Sequence, residues 1–326
     1  MLNGKSKKNT IQTNDKDPVV MPEQEPLARV LLLGGVTGAL PPLSGQLAQE
    51  FAAQNLIAAA LHEDDAAAAS RLAETGCGLV SLAGMRGERL EEARLALGGA
   101  KAVGAGETES LANAPAVLCV NGVRVGFLGY SERRAGGFDK RADILGLMAL
   151  DQVRMLLNQC DHVIVLVRAG LPDAQLPLPE WRARYRRFID AGASVVADTG
   201  EPKGWESYRN GLICYGLGAP DGARSLALFL TLRQNGRRGY ETRALETVAG
   251  GLRTSTDKAF LNGIDDQNSL LLDDKAYLRA ADEMCLQYYA EHEEGKKRGA
   301  LKALLSVAGE PGRRMEEEKL LSLRQD

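Results

Sequence analysis

Short apolar runs rich in β-branched residues alternate along this chain with stretches whose apolar positions recur at helical spacing. Residues 29–33 (RVLLL), 79–83 (LVSLA), 161–168 (DHVIVLVR) and 193–198 have the length and composition of buried strands. Two apolar runs, 117–120 and 123–130, flank Asn121-Gly122, the dipeptide that favours a two-residue hairpin turn. Asn210-Gly211 precedes a further strand at 212–215, and Asn235-Gly236 sits inside a hairpin of 226–233 with 240–245. Helical periodicity predicts helices over 47–61, 88–97, 145–160, 181–189 and 273–294, the last with Tyr277, Ala281, Met284 and Tyr288 on one stripe. Shorter helices are predicted at 296–305 and 315–323. The turn TGEPKG at 199–204 breaks both helix and strand through Pro202 and its glycines. Helices and strands interleave, and hairpins interrupt them. The expectation is an α/β sandwich of mixed sheets flanked by helices, not an all-parallel sheet. It comprises a disordered tail (1–27), a main domain (28–246) and a helical C-terminal extension (247–326).

Bulk properties narrow the function. The 326 residues, 44% hydrophobic, suffice for a full core. A net charge of −3 from nearly balanced acids and bases argues against a general nucleic-acid binder. Five widely spaced cysteines with no CxxC pair read as buried free thiols, as in a reducing compartment. The polar N-terminus carries no apolar core for a signal peptide, and no run of about 18 apolar residues occurs. No membrane span and a cytoplasmic location are therefore expected, with membrane association through a partner left open.

Catalytic sets are sparse. Glycines follow the first strand, but Pro41-Pro42 falls where a dinucleotide-binding helix would begin, so no such cofactor is expected. Ser81 lacks a GxSxG elbow. Of the three histidines, His62 beside Glu63-Asp64-Asp65 reads as solvated on a polar face, and His162 as a satisfied core histidine.

The segment Gly192-Ala193, Val195-Val196, Glu206, Tyr208, Gly211, Ile213, Tyr215, Leu217-Gly218 resembles the closing half of the capsule-synthesis family CapA, relatives of poly-γ-glutamate synthesis proteins. Phe127-Leu128-Gly129-Tyr130, residues 101–106 (KAVGAG) and 79–83 match further scaffold letters, so the likeness spans roughly 29–245. It implies a metallophosphatase-like (calcineurin-like) α/β sandwich and a role in extracellular polymer synthesis. The family's metal-binding letters are replaced at each matched place: Gly35, Ile57, Arg86, Arg168 and the 199–202 turn. The resemblance thus implies a degenerate member without metal, cofactor or catalytic residues. Arg86 and Arg168 are expected to face each other across the vacated site and, with Glu206, to hold an anion such as phosphate or a carboxylate polymer. Internal salt bridges to Asp198, Glu201 or Glu206 are the competing reading. A binding or assembly subunit that docks envelope-polymer synthesis proteins through its C-terminal helices is the first functional expectation. A hydrolase with a rebuilt, metal-independent site is the second.

Overall fold

The computed structural model describes residues 26–62, 66–85, 89–132, 140–146, 148–171 and 174–291. The predicted tail up to residue 25, Arg86, the acidic run 63–65 and the helices expected at 296–305 and 315–323 lie outside these residues.

The chain opens with strand–helix units. β1 (Leu27–Val36), β2 (Leu56–Leu61), β3 (Cys77–Ser81) and β4 (Lys101–Val103) run parallel, linked by α1 (Gly45–Ala52), α2 (Ala66–Glu74) and α3 (Leu90–Ala96). After the short α4 (Glu109–Ala112), β5 (Ala116–Val120) and β6 (Val123–Ser131) form the expected hairpin. Asn121 and Gly122 both take positive φ, 46° and 83°, as a type I′ turn requires. Then come α5 (Ala149–Leu156), β7 (His162–Arg168), α6 (Pro179–Asp190), β8 (Val195–Asp198), β9 (Lys203–Tyr208) and β10 (Gly211–Gly216). The long strands β11 (Arg224–Arg233) and β12 (Arg238–Val248), the short β13 (Gly251–Thr254), and helices α7 (Lys258–Leu272) and α8 (Asp274–Glu291) complete it. The first sheet therefore continues past residue 246.

Two mixed sheets result, ordered β13-β12-β11-β1-β2-β3-β4 and β5-β6-β7-β8-β10-β9. They pack face to face. Alternation along β1 sends Val30 and Leu32 into the layer between the sheets, beside Phe127, Ile164 and Leu166. Leu31 and Leu33 point the other way, against Leu47, Phe51 and Leu72 of the outer helices. On the second sheet Val163, Val165 and Val167 meet Val153, Trp181 and Phe188. Strands covered on both faces need apolar residues at every position, which is why they read as continuous runs. Each fully buried aliphatic side chain contributes about 1.5–3 kcal/mol.

Several sequence expectations change. The alanine-rich run 47–61 is not one helix: α1 ends at Ala52 and β2 begins at Leu56. Asn55 exchanges two hydrogen bonds with Arg29, one through its main-chain N–H and one through its side chain, both 2.8 Å, and this aligns β2 with β1. Ala58, Ala59 and Ala60 are buried on the sheet, so packing overrides alanine's helical preference. The predicted 145–160 helix shortens to α5, because the Asp143 carboxylate accepts from Leu145 N–H (2.9 Å) and fixes a turn there. The 199–204 turn gives way at Lys203 to β9, antiparallel to β10. Beyond it α7, which the apolar pattern did not reveal, is capped by Asp257, whose side chain accepts from Ala259 and Phe260 N–H.

Candidate functional site

The carboxyl ends of β1, β2, β7 and β8 converge where the main chains of the two sheets touch. Main chain stitches them there: Gly35 N–H donates to the Thr199 carbonyl across the sheets (3.0 Å). A β-carbon on Gly34 would lie 1.7 Å from the Gly218 carbonyl oxygen, so only glycine permits this approach.

His62, the residue after β2, fills the space above Gly35. A β-carbon at Gly35 would sit 1.8 Å from its Cε1, and one at Gly84 would sit 2.3 Å from its Cδ2. Its Nε2 lies 3.0 Å from Thr199 Oγ1. The Thr199 hydroxyl donates to the Val167 carbonyl (3.0 Å), so the His62 contact is made by an Nε2–H donor. Burial, with the Arg168 charge second, lowers the His62 pKa to about 3. The imidazole is neutral at any physiological pH. This corrects the reading of His62 as a solvated surface residue. Ile57, the position matched to the family's metal-binding letter, lies near the beginning of β2, whereas His62 directly follows that strand's end.

Asp198, the last residue of β8, is fully buried. Its Oδ2 accepts from the Tyr185 hydroxyl (2.5 Å) and its Oδ1 from Gly200 N–H (2.7 Å). Burial raises its pKa, against the opposing pull of Lys203, the Tyr185 hydrogen bond and Arg168. Arg168, closing β7, extends over Gly200: a β-carbon there would be 2.3 Å from Nη1 and 3.0 Å from Asp198 Oδ1. Among the described residues Arg168 makes no ion pair with Asp198, Glu201 or Glu206.

Glu206 is placed differently from Arg168. Its carboxylate turns toward α6, where it binds Arg182 (2.8 Å) and both forks of Arg186 (2.9 Å each) and accepts from the Tyr215 hydroxyl (2.5 Å). Asp274 at the start of α8 adds ion pairs to both arginines, at 3.0 and 3.3 Å. Although burial opposes ionisation, these partners hold the Glu206 carboxyl below its usual range. Tyr215 stacks on Tyr185 with centroids 5.8 Å apart and planes 14° from parallel. Two phenols, each donating to one buried carboxylate, thus join the Glu206 cluster to Asp198.

A binuclear metal centre needs several imidazole and carboxylate ligands converging at one point. The described residues do not fit it. A single neutral imidazole occupies the space above Gly35, an arginine ends β7, and Thr199 takes the place after β8. Among the described residues no group of three histidine, cysteine, aspartate or glutamate side chains is placed to hold a metal ion.

What remains is a strand-end pocket, half-buried at His62 and Arg168, with two cationic side chains, Arg168 and Lys203, beside one committed carboxylate. It belongs to an α/β sandwich of two mixed sheets with helices outside. Residues 90–219 match the family model of the bacterial capsule synthesis protein PGA_cap, so the capsule-synthesis resemblance holds over that stretch. No curated protein matches the chain. Among solved structures it is similar to a hypothetical protein from Thermus thermophilus (19% identity, TM-score 0.48, covering 67% of this chain and 99% of that one). It is also similar to a structure titled a novel phosphatase, from Mycoplasma pneumoniae (13% identity, TM-score 0.49, covering 73% of this chain and 97% of that one). No described helix is long and apolar enough to cross a membrane.

Sequence reasoning missed His62, Tyr185 and Lys203 as site residues. The signal for His62 was present: LIAAALH is a six-residue apolar run ending in a polar group, the pattern of a buried strand with its functional residue at the carboxyl end.

Proposed function

We propose that this protein serves extracellular-polymer production as a non-catalytic binding or assembly subunit, holding an anionic group of the polymer or its precursor at the strand-end pocket. One observation carries the reading: Arg168 stands at the end of β7 without a carboxylate partner among the described residues. His62 beside it is neutral, and Asp198 is engaged by Tyr185 and Gly200. A guanidinium held this way suits bidentate binding of phosphate or carboxylate. The match to the capsule-synthesis family supports a polymer as the source of that anion. Arg86 joins Arg168 in this reading, and Glu206 supports it from behind by fixing α6. Exposed Leu272, Leu278 and Leu286 on the C-terminal helices offer apolar surface for the assembly role.

The test is a thermal-shift titration with inorganic phosphate and with a γ-glutamyl oligomer, on the native chain and on Arg168→Ala. Saturating anion should raise the native transition by a few degrees, and Arg168→Ala should abolish the shift. An equal shift in both proteins would reject the site.

A second reading has one observation in its favour, the Thr199 hydroxyl within hydrogen-bonding distance of His62. That pair would suit a metal-independent hydrolase once the ring took its other tautomer, with Nε2 accepting the proton that Thr199 here gives to the Val167 carbonyl. Hydrolysis of p-nitrophenyl phosphate or of γ-glutamyl amides, lost in Thr199→Val, would put it first.

A further inference from the structure

Beside the strand-end pocket, a cleft of about 880 Å³ opens between the Glu201-Pro202 turn and the helices α7 and α8. Its floor is apolar, with Phe260, Ile264 and Met284, and its rim carries Glu201, Asp266 and Glu283. Arg224, the basic residue of the lining, is already paired with Asp257. Among the described residues the three rim carboxylates have no ion-pair partner. An apolar trough edged by uncompensated negative charge calls for an occupant with an apolar stripe and positive flanks.

The chain carries one. α8 forms one wall of the cleft through Glu283 and Met284, and its described part ends at Glu291. The four residues His292, Glu293, Glu294 and Gly295 then lead into 296–305, KKRGALKALL. That stretch holds four cations (Lys296, Lys297, Arg298, Lys302) and no acid. Leu301, Leu304 and Leu305 fall on one face at helical spacing. Reach is sufficient: α8 rises about 12 Å from Glu283 to Glu291, and four extended residues span about 14 Å. A chain reversing at Gly295 can therefore return residue 296 to the level of Glu283. We propose that residues 296–305 of the same chain occupy this cleft, leucines on the floor and cations against the acidic rim. Tethering gives the contact a high effective concentration, so weak individual ion pairs suffice.

Hydrogen–deuterium exchange on the full chain tests this, with amides of 162–168 in the core as internal reference for folding. Combining Lys296→Glu, Lys297→Glu, Arg298→Glu and Lys302→Glu should speed exchange over 259–272 by about fivefold. Adding Glu201→Lys, Asp266→Lys and Glu283→Lys to that variant should restore protection, since the charges are then complementary again. Unchanged exchange in the first variant, or no recovery in the second, overturns the proposal. Protection that grows with protein concentration also overturns it, by assigning the segment to a second copy.

Discussion

The His62 imidazole lies against the α-carbon of Gly35, in the volume a β-carbon at position 35 would need. The two residues are sterically linked, although one follows β2 and the other lies within β1. A side chain at 35 and the present position of His62 exclude one another.

Gly35→Ala should therefore destabilise the fold by about 2–3 kcal/mol through overpacking. Combined with His62→Ala, the loss should fall short of the sum by at least about 1 kcal/mol. Urea denaturation of the two single variants and the double variant gives this coupling. Additive effects would mean that the imidazole does not fill the space above Gly35.

His62 also sets a pH dependence. The unfolded chain's histidine takes a proton below about 6.5, whereas the folded one stays neutral until about 3. Below pH 6.5 the unfolded state binds more protons, so stability is full above that pH and declines as pH falls toward 3. From pH 7.5 to 5 the His62 share of the loss is about 2 kcal/mol. His162, its pKa lowered by burial, acts in the same direction. The measurement is thus the difference between native chain and His62→Gln, whose stability should fall less over that interval. Parallel curves would contradict an enclosed, neutral His62.

The Glu206 cluster predicts graded losses. Tyr215→Phe removes one donor to a carboxylate that keeps two arginines, and should lower stability by about 1–2 kcal/mol. Glu206→Gln leaves the buried Arg182 with only the exposed Asp274 as counter-charge and should lose about 3–5 kcal/mol. Chemical denaturation at pH 7 ranks the two, and a larger loss for Tyr215→Phe would reverse the assignment of which contact dominates.

Gly34→Ala tests the joint between the sheets. The added carbon meets a main-chain oxygen, not a movable side chain, so a loss above about 4 kcal/mol or an insoluble product is expected. A soluble variant with the native circular dichroism and melting point would show that the sheets can separate at this end.

Most of the strands were legible because burial on both faces forces continuous apolar runs, as in 161–168 and 29–33. The β5–β6 hairpin was legible because Asn-Gly has a conformational reason to be there. β2 was misread because alanine's local preference points to helix, and only the flanking layers reverse it. The candidate site was half legible. Arg168 could be placed by its position at a strand end. The link from Glu206 through Tyr215 and Tyr185 to Asp198 joins residues far apart in the chain, and no spacing rule encodes it.

The stitched sheet ends bear on how such a chain changes over time. Gly34, Gly218 and the hydrogen bond from Gly35 to Thr199 make a floor of main chain, whose dimensions no surface substitution can alter. What stands on that floor is interchangeable: a ring can take the room of a carboxylate, or a guanidinium that of an imidazole, without disturbing a strand. Lineages can therefore exchange the chemistry of this pocket while selection on folding alone preserves its frame, and the frame is what stays readable in the sequence.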